Sequence, residues 1–268
     1  MESRLTRLEV SDEVRGRMAT LREVTIRPLD VILFRGMDPV SNAISFVQAK
    51  KLGRGDFSHA GMAVTRDALD LPFLEPGRVY VWESTLSAPA GFWARFTDKI
   101  PDVETKGLRF GVQLRDLEAV IEGYSSNGGK VAWCAYRGPR PPLEEVRRRL
   151  LELHAEYGDA AYPVGNLKVI SVVFPALRPI RDRVEQAQDR LARFRNALRE
   201  RTGMKRRIKS AEHHMFCSEW VATVYKRLGM DSLTGIEFDP KLATPVNPLQ
   251  RPELFAAPVY LDAEGEMA

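Results

Sequence analysis

Three residues carry the chemistry this sequence could do: Cys217, His59 and Glu83. Cys217 falls in a stretch, residues 215–229, whose apolar positions Trp220, Val221, Val224, Tyr225 and Leu228 recur with the period of a helix. Lys226 and Arg227 occupy the last turn, and Gly229 follows as a natural C-cap. Ser218 and Glu219 sit in the first turn, where a small hydroxyl and an acid suit free backbone donors. A cysteine in that turn feels the positive end of the helix dipole. Its thiol pKa is thereby lowered, and the thiolate is the nucleophilic form. The plain alternative is a buried small hydrophobe, so the chain must also supply a base and a group to orient it.

His59 and Glu83 are the expected base and orienting group. Residues 57–64 read as one strand and residues 78–84 as the next, joined by a loop with Asp67, Asp70, Pro72, Pro76 and Gly77. An antiparallel hairpin is the economical arrangement. His59, Gly61 and Ala63 share one face of the first strand, and Val79, Val81 and Glu83 share one face of the second. The small residues beside His59 are expected to leave room for nucleophile and substrate. If His59 is directly opposite Glu83, their Cβ atoms lie about 4.5–5.5 Å apart, within reach of a carboxylate–imidazole hydrogen bond. Such a histidine is fixed in tautomer and can take a proton from a thiol. His213 and His214, just upstream of Cys217, compete for the same role. His154 reads as a surface residue and Cys134 as core.

The rest of the chain must position these groups. Residues 1–24 read as a charged helical lead-in, and residues 30–34 as a short buried strand ended by Gly36. A helix over 43–51 follows, opened by Asp38, Pro39 and Ser41. Residues 108–114 and 130–136 suggest further strands, with a short helix over 117–124 between them. Pro141 and Pro142 open a helix over 143–157. A polar helix is expected over 180–201. The proline-rich tail from Asp231 reads as loop. The fold class is therefore α+β: an antiparallel sheet or half-barrel packed against helices, in one domain covering 1–268 with a basic helical insertion at about 178–212.

At this point the chain resembles a known family. Leu29-Asp30-Val31-Ile32-Leu33-Phe34, Phe57-Ser58-His59-Ala60-Gly61-Met62, Val81-Trp82-Glu83-Ser84 and Phe216-Cys217-Ser218-Glu219 are similar to motifs of the circularly permuted papain-like cysteine hydrolases related to NlpC-type peptidases. The nearest type is YiiX/YaeF-like, with lecithin:retinol acyltransferase-like proteins as neighbours. The histidine strand precedes the cysteine helix here, as in the permuted branch. The resemblance implies a permuted papain-like fold with Cys217 as nucleophile, His59 as general base and Glu83 as the residue that orients it. It implies a structural role for Asp30 at the start of the first strand. It also makes Tyr162, Ser218 and Ser58 candidates for lining the site or binding an oxyanion.

Composition narrows the partners. The chain has 268 residues, 44% of them hydrophobic, enough for a substantial core. Two cysteines make neither a disulfide framework nor a metal site, and no cofactor is expected. No secretory leader or membrane-spanning run is visible, so cytoplasmic synthesis is expected, with leaderless export still open. The net charge is +4, yet residues 178–209 hold twelve Arg or Lys against four Asp or Glu, a local +8 that leaves −4 elsewhere. That segment suits an anionic membrane surface or an acidic protein partner, or a solvated helix docked by Leu191, Phe194 and Leu198. It lacks interleaved stacking aromatics, so nucleic acid is not expected. The expected activity is a cysteine hydrolase working through an acyl-thioester on a peptide or cell-wall amide. The alternatives are a lipid acyl-ester hydrolase or acyltransferase, which an exported antibacterial effector could use, and a non-catalytic binding module on the same fold.

Overall fold

A computed structural model of the chain describes residues 18–20, 23–37, 39–53, 55–86, 99–108, 110–158 and 216–262. Seven strands form one open sheet: β1 (Met18–Thr20), β2 (Val31–Arg35), β3 (His59–Thr65), β4 (Val79–Leu86), β5 (Phe110–Asp116), β6 (Lys130–Cys134) and β7 (Val259–Asp262). Their order is β1-β7-β6-β2-β3-β4-β5. Every neighbouring pair is antiparallel except β1 with β7, which is parallel. The helices are α1 (Pro39–Leu52), α2 (Leu117–Ser126), α3 (Leu143–Tyr157), α4 (Cys217–Arg227) and α5 (Met230–Thr234). The α+β class and the antiparallel sheet match the expectation from sequence. Among the described residues, no helix is long and apolar enough to cross a membrane.

The central strands are buried on both faces, which explains their near-continuous apolar runs. One face of the sheet carries Val31, Leu33, Ala60, Met62, Val64 and Trp82, packed against α3 and α4. The other carries Ile32, Phe34, Ala63, Val81, Val131 and Trp133, packed against α2 through Leu117, Val120 and Ile121. Alternate residues of each strand therefore enter different cores. Trp82 and Trp220 meet edge to face with centroids 4.7 Å apart and fasten α4 to β4. The Tyr225 hydroxyl donates to the Leu29 carbonyl and fastens the same helix to the approach to β2.

Two expectations fail at the ends of the chain. Residues 18–20, expected within a helical lead-in, form β1, and the tail expected as loop supplies α5, a 3-10 turn (Asn247–Gln250) and β7. β1 and β7 are three and four residues long, too short to show a period. Each is a strand because the other end of the chain lies beside it. The rest of the lead-in, the basic insertion and the helix expected over 180–201 lie outside the described residues.

Candidate active site

His59 opens β3, Glu83 sits in β4, and Cys217 is the first residue of α4. Phe216 caps that helix: its carbonyl accepts from Trp220 N–H at 2.8 Å, and its own N–H donates to Glu219 Oε2 at 3.1 Å. The cap leaves Cys217 and Ser218 in the first turn, where backbone N–H groups lack partners within the helix.

The structure brings the three residues together by a different route from the expected one. β3 and β4 pair as Met62 with Trp82, Ala63 with Val81 and Thr65 with Val79. Continued by the same offset, Gly61 lies opposite Glu83, and His59 is its diagonal neighbour, two residues from the expected register. A two-residue slip keeps Glu83 on the histidine's face, where a one-residue slip would have inverted it. The long glutamate side chain spans the diagonal, and Glu83 Oε2 hydrogen-bonds His59 Nε2. Gly61 makes this passage available. A Cβ there would stand 2.4 Å from Val81 Cγ2 and 3.0 Å from Glu83 Cβ.

The space over Gly61 and Ala63 does not receive the Cys217 thiol. Val81 and Glu83 fill it, in the layer that faces α2. Cys217 arrives from the opposite layer through an opening in the sheet. β4 follows β5 as far as Leu86 opposite Phe110, but its pairing with β3 ends at Met62 and Trp82. Beyond that point the backbone N–H of Ala60 turns to Cys217 Sγ, as does the N–H of Ser218. The thiol also reaches the His59 imidazole. With Nε2 held by Glu83, Nδ1 is the ring nitrogen left for sulfur.

Arg115 completes the cluster, and the sequence reading passed over it. It lies on β5 opposite Val81, on the face of Glu83; its Nε donates to Glu83 Oε1, and its Nη2 is ion-paired with the same oxygen. One carboxylate oxygen is thus assigned to Arg115 and the other to His59. Arg115 and Glu83 are both 0% exposed, and the His59 side chain is 13% exposed. A lone arginine in an apolar strand could have signalled a buried acid nearby, since a buried charge needs a partner.

Burial and charge pull these groups in opposite directions. Burial disfavours the Glu83 carboxylate, but Arg115 and His59 outweigh it and hold its pKa below the ordinary value. Burial lowers His59, yet Cys217 and Glu83 raise it further, to about 10. Burial raises the Cys217 thiol, while the His59 charge, its hydrogen bond and the N–H groups of Ala60 and Ser218 bring it below the ordinary value. Each of the two shifts favours the charged form, imidazolium for His59 and thiolate for Cys217. Cys134 contrasts with this: it is fully buried, and burial followed by the Asp30 charge pushes its thiol up.

The remaining candidates take other places. Asp30 is buried, and its carboxylate accepts from Arg27 N–H, Trp133 Nε1, Tyr136 N–H and Arg140 Nη2, tying the start of β2 to the end of β6. The Ser58 hydroxyl accepts from Gly36 N–H and donates to the Phe34 carbonyl, so it serves the end of β2. Ser218 Oγ donates to the Ala243 carbonyl at 3.0 Å. His154 is half-buried against Trp82 and Phe73, with Glu104 at 3.1 Å, rather than on the surface. Tyr162, His213, His214 and residues 178–209 lie outside the described residues.

The sequence matches no model of a known protein family, and comparison with curated proteins finds no match.

Proposed function

We propose that the protein is a cysteine hydrolase that breaks an acyl bond, first an amide, through an acyl-thioester. The observation that carries this reading is the Cys217 thiol within reach of a buried His59 whose far nitrogen is held by an ionised Glu83. The order of histidine strand before cysteine helix, and the cysteine at a helix start, are features of the permuted papain-like arrangement and support it.

The Cys217 thiolate attacks the carbonyl carbon, and the C=O electrons move onto oxygen. The N–H groups of Ala60 and Ser218 point to the Cys217 sulfur, and donors beside the sulfur can take up the charge that develops on the adjoining oxyanion. His59, as imidazolium, gives its proton to the leaving nitrogen, and the C–N bond breaks. Neutral His59 then takes a proton from water, which attacks the thioester. The acid leaves and the thiolate returns. Glu83 keeps His59 in one tautomer throughout. Peptides and cell-wall amides are the first substrate class. The second reading is a lipid acyl ester, and the apolar cavity along α4 favours it. A contact of residues 178–209 with an anionic membrane or an acidic protein would fit either.

Brief exposure to p-nitrophenyl acetate followed by intact-mass measurement tests the reading. An acetyl adduct is expected on the native protein and none on Cys217→Ala. Absence of the adduct, with Cys217 alkylation titrating near the free-thiol value of about 8.5, would identify a binding module instead.

A further inference from the structure

A cavity of about 240 Å³ is walled by the part of α4 that follows Cys217. Ala60 and Ser218, whose N–H groups face the Cys217 sulfur, both line it. The cavity then runs along α4. Ser218, Val221, Ala222 and Tyr225 recur at the spacing of one helix face, so the wall extends for ~10 Å at 1.5 Å per residue. Val31 and Ala60 form the sheet side, and the segment around Phe238, Leu242 and Phe255 forms the outer side. Ser218 Oγ holds that segment to α4 through the Ala243 carbonyl.

The far end is closed by aromatic rings. Tyr225 stacks on Phe238 at 4.9 Å and meets Phe255 edge on at 5.9 Å, and all three are buried. The Tyr225 hydroxyl is engaged by the Leu29 carbonyl, so the ring, not a polar group, closes the far end of the cavity. Leu242 is 56% exposed and marks the open side. Arg251 Nη2 is engaged by the Glu237 carbonyl, and the guanidinium lies over Phe238. Glu237 and Asp239 also line the cavity, and Arg251 Nη1 is buried without a hydrogen-bond partner among the described residues.

Resting on the acyl-ester form of the hydrolase reading, we infer that this cavity is the acyl-chain subsite, and that it selects a linear acyl group of medium length, the octanoyl class, with Tyr225, Phe238 and Phe255 setting the length limit. A chain entering from the thioester carbon at Cys217 passes between Ala60 and Ser218 and lies along Val221 and Ala222. An acetyl group leaves the cavity unfilled, and a palmitoyl group meets the aromatic floor.

The test compares acetyl, octanoyl and palmitoyl p-nitrophenyl esters on the native protein, Ala222→Phe, Phe238→Ala and Cys217→Ala. Octanoyl buries six more methylenes than acetyl, so native kcat/KM is expected to favour octanoyl over acetyl by about 1,000-fold, and to favour it over palmitoyl. Ala222→Phe fills the channel and should bring the octanoyl-to-acetyl ratio close to one. Phe238→Ala opens the floor and should move the preference toward palmitoyl, which keeps the test decisive if Ala222→Phe fails to fold. Equal Cys217-dependent turnover of all three esters, with ratios untouched by Phe238→Ala, would overturn the subsite and leave the hydrolase reading standing. No Cys217-dependent acylation by any ester would instead remove the hydrolase reading, and the subsite with it.

Discussion

At the scale of single residues, the site is a chain of four buried ionisable groups: Arg115, Glu83, His59 and Cys217. With thiolate and imidazolium formed, the four sum to zero, which lowers the cost of holding them away from water. His59→Ala removes both the charge and the hydrogen bond that lower the Cys217 thiol. Its iodoacetamide alkylation profile should move up in pH, toward or beyond the free-thiol value. In the native protein the profile should reach its plateau below that value. Hydrolysis of an amide also needs the imidazolium proton, which is present below about pH 10 and lost above it. Activity should therefore fall on the alkaline side near pH 10 and on the acid side as the thiolate is protonated. Arg115→Met leaves a buried carboxylate without its cation and should cost about 3–5 kcal/mol in urea unfolding. Adding Glu83→Gln to that variant should recover much of the loss in stability without restoring turnover, because a neutral amide does not stabilise the imidazolium.

At the scale of elements, the site depends on where one strand leaves another. β4 stays with β5 but parts from β3 after Met62, and that opening admits a thiol from the opposite layer of the molecule. Gly61 is a close-approach point of the arrangement, because a side chain there would crowd Val81 and Glu83 where they cross β3. Gly61→Ala must displace Val81 or the Glu83 backbone. A shift of about 1 Å in a catalytic group can cost ~10²-fold, so a loss of that order in kcat is expected from a protein whose circular dichroism is unchanged. An equally active Gly61→Ala would show that the Glu83 path does not set the His59 geometry. The one-residue alternation of β3 was legible from sequence, and so was the shared face of His59 and Glu83. The register was not, since loop length and alternation fix the face but leave steps of two open.

At the scale of the whole molecule, the two ends of the chain close one side of the sheet. β7 lies between β1 and β6, so the last described strand is interior. Removing the chain from Val259 onward should expose the β6 edge and uncover Val131 and Trp133, which pack with Val259 and Leu261. The expected result is a truncated protein that aggregates or unfolds at lower temperature, measured by thermal scanning and light scattering. The same paired strands give Asp30 its structural place. It joins β2 to Trp133 and Tyr136, more than 100 residues away, and so sets the frame on which β3 presents His59.

Sequence by itself determined the local features: the helix within 215–229 that carries Cys217 in its first turn, the hairpin-type strands carrying His59 and Glu83, the α+β class, and helix α3 with its ends at 143 and 157. These follow from periodicity and end signals within about fifteen residues. Only the tertiary structure decided the rest. The diagonal Glu83–His59 contact, the entry of Cys217 through the gap beside Ala60, the Arg115 partner, the cavity along α4 and the strand identity of both termini all join residues far apart in the chain. Such contacts come from packing two cores against opposite faces of one sheet, and no local pattern encodes which distant segment will arrive.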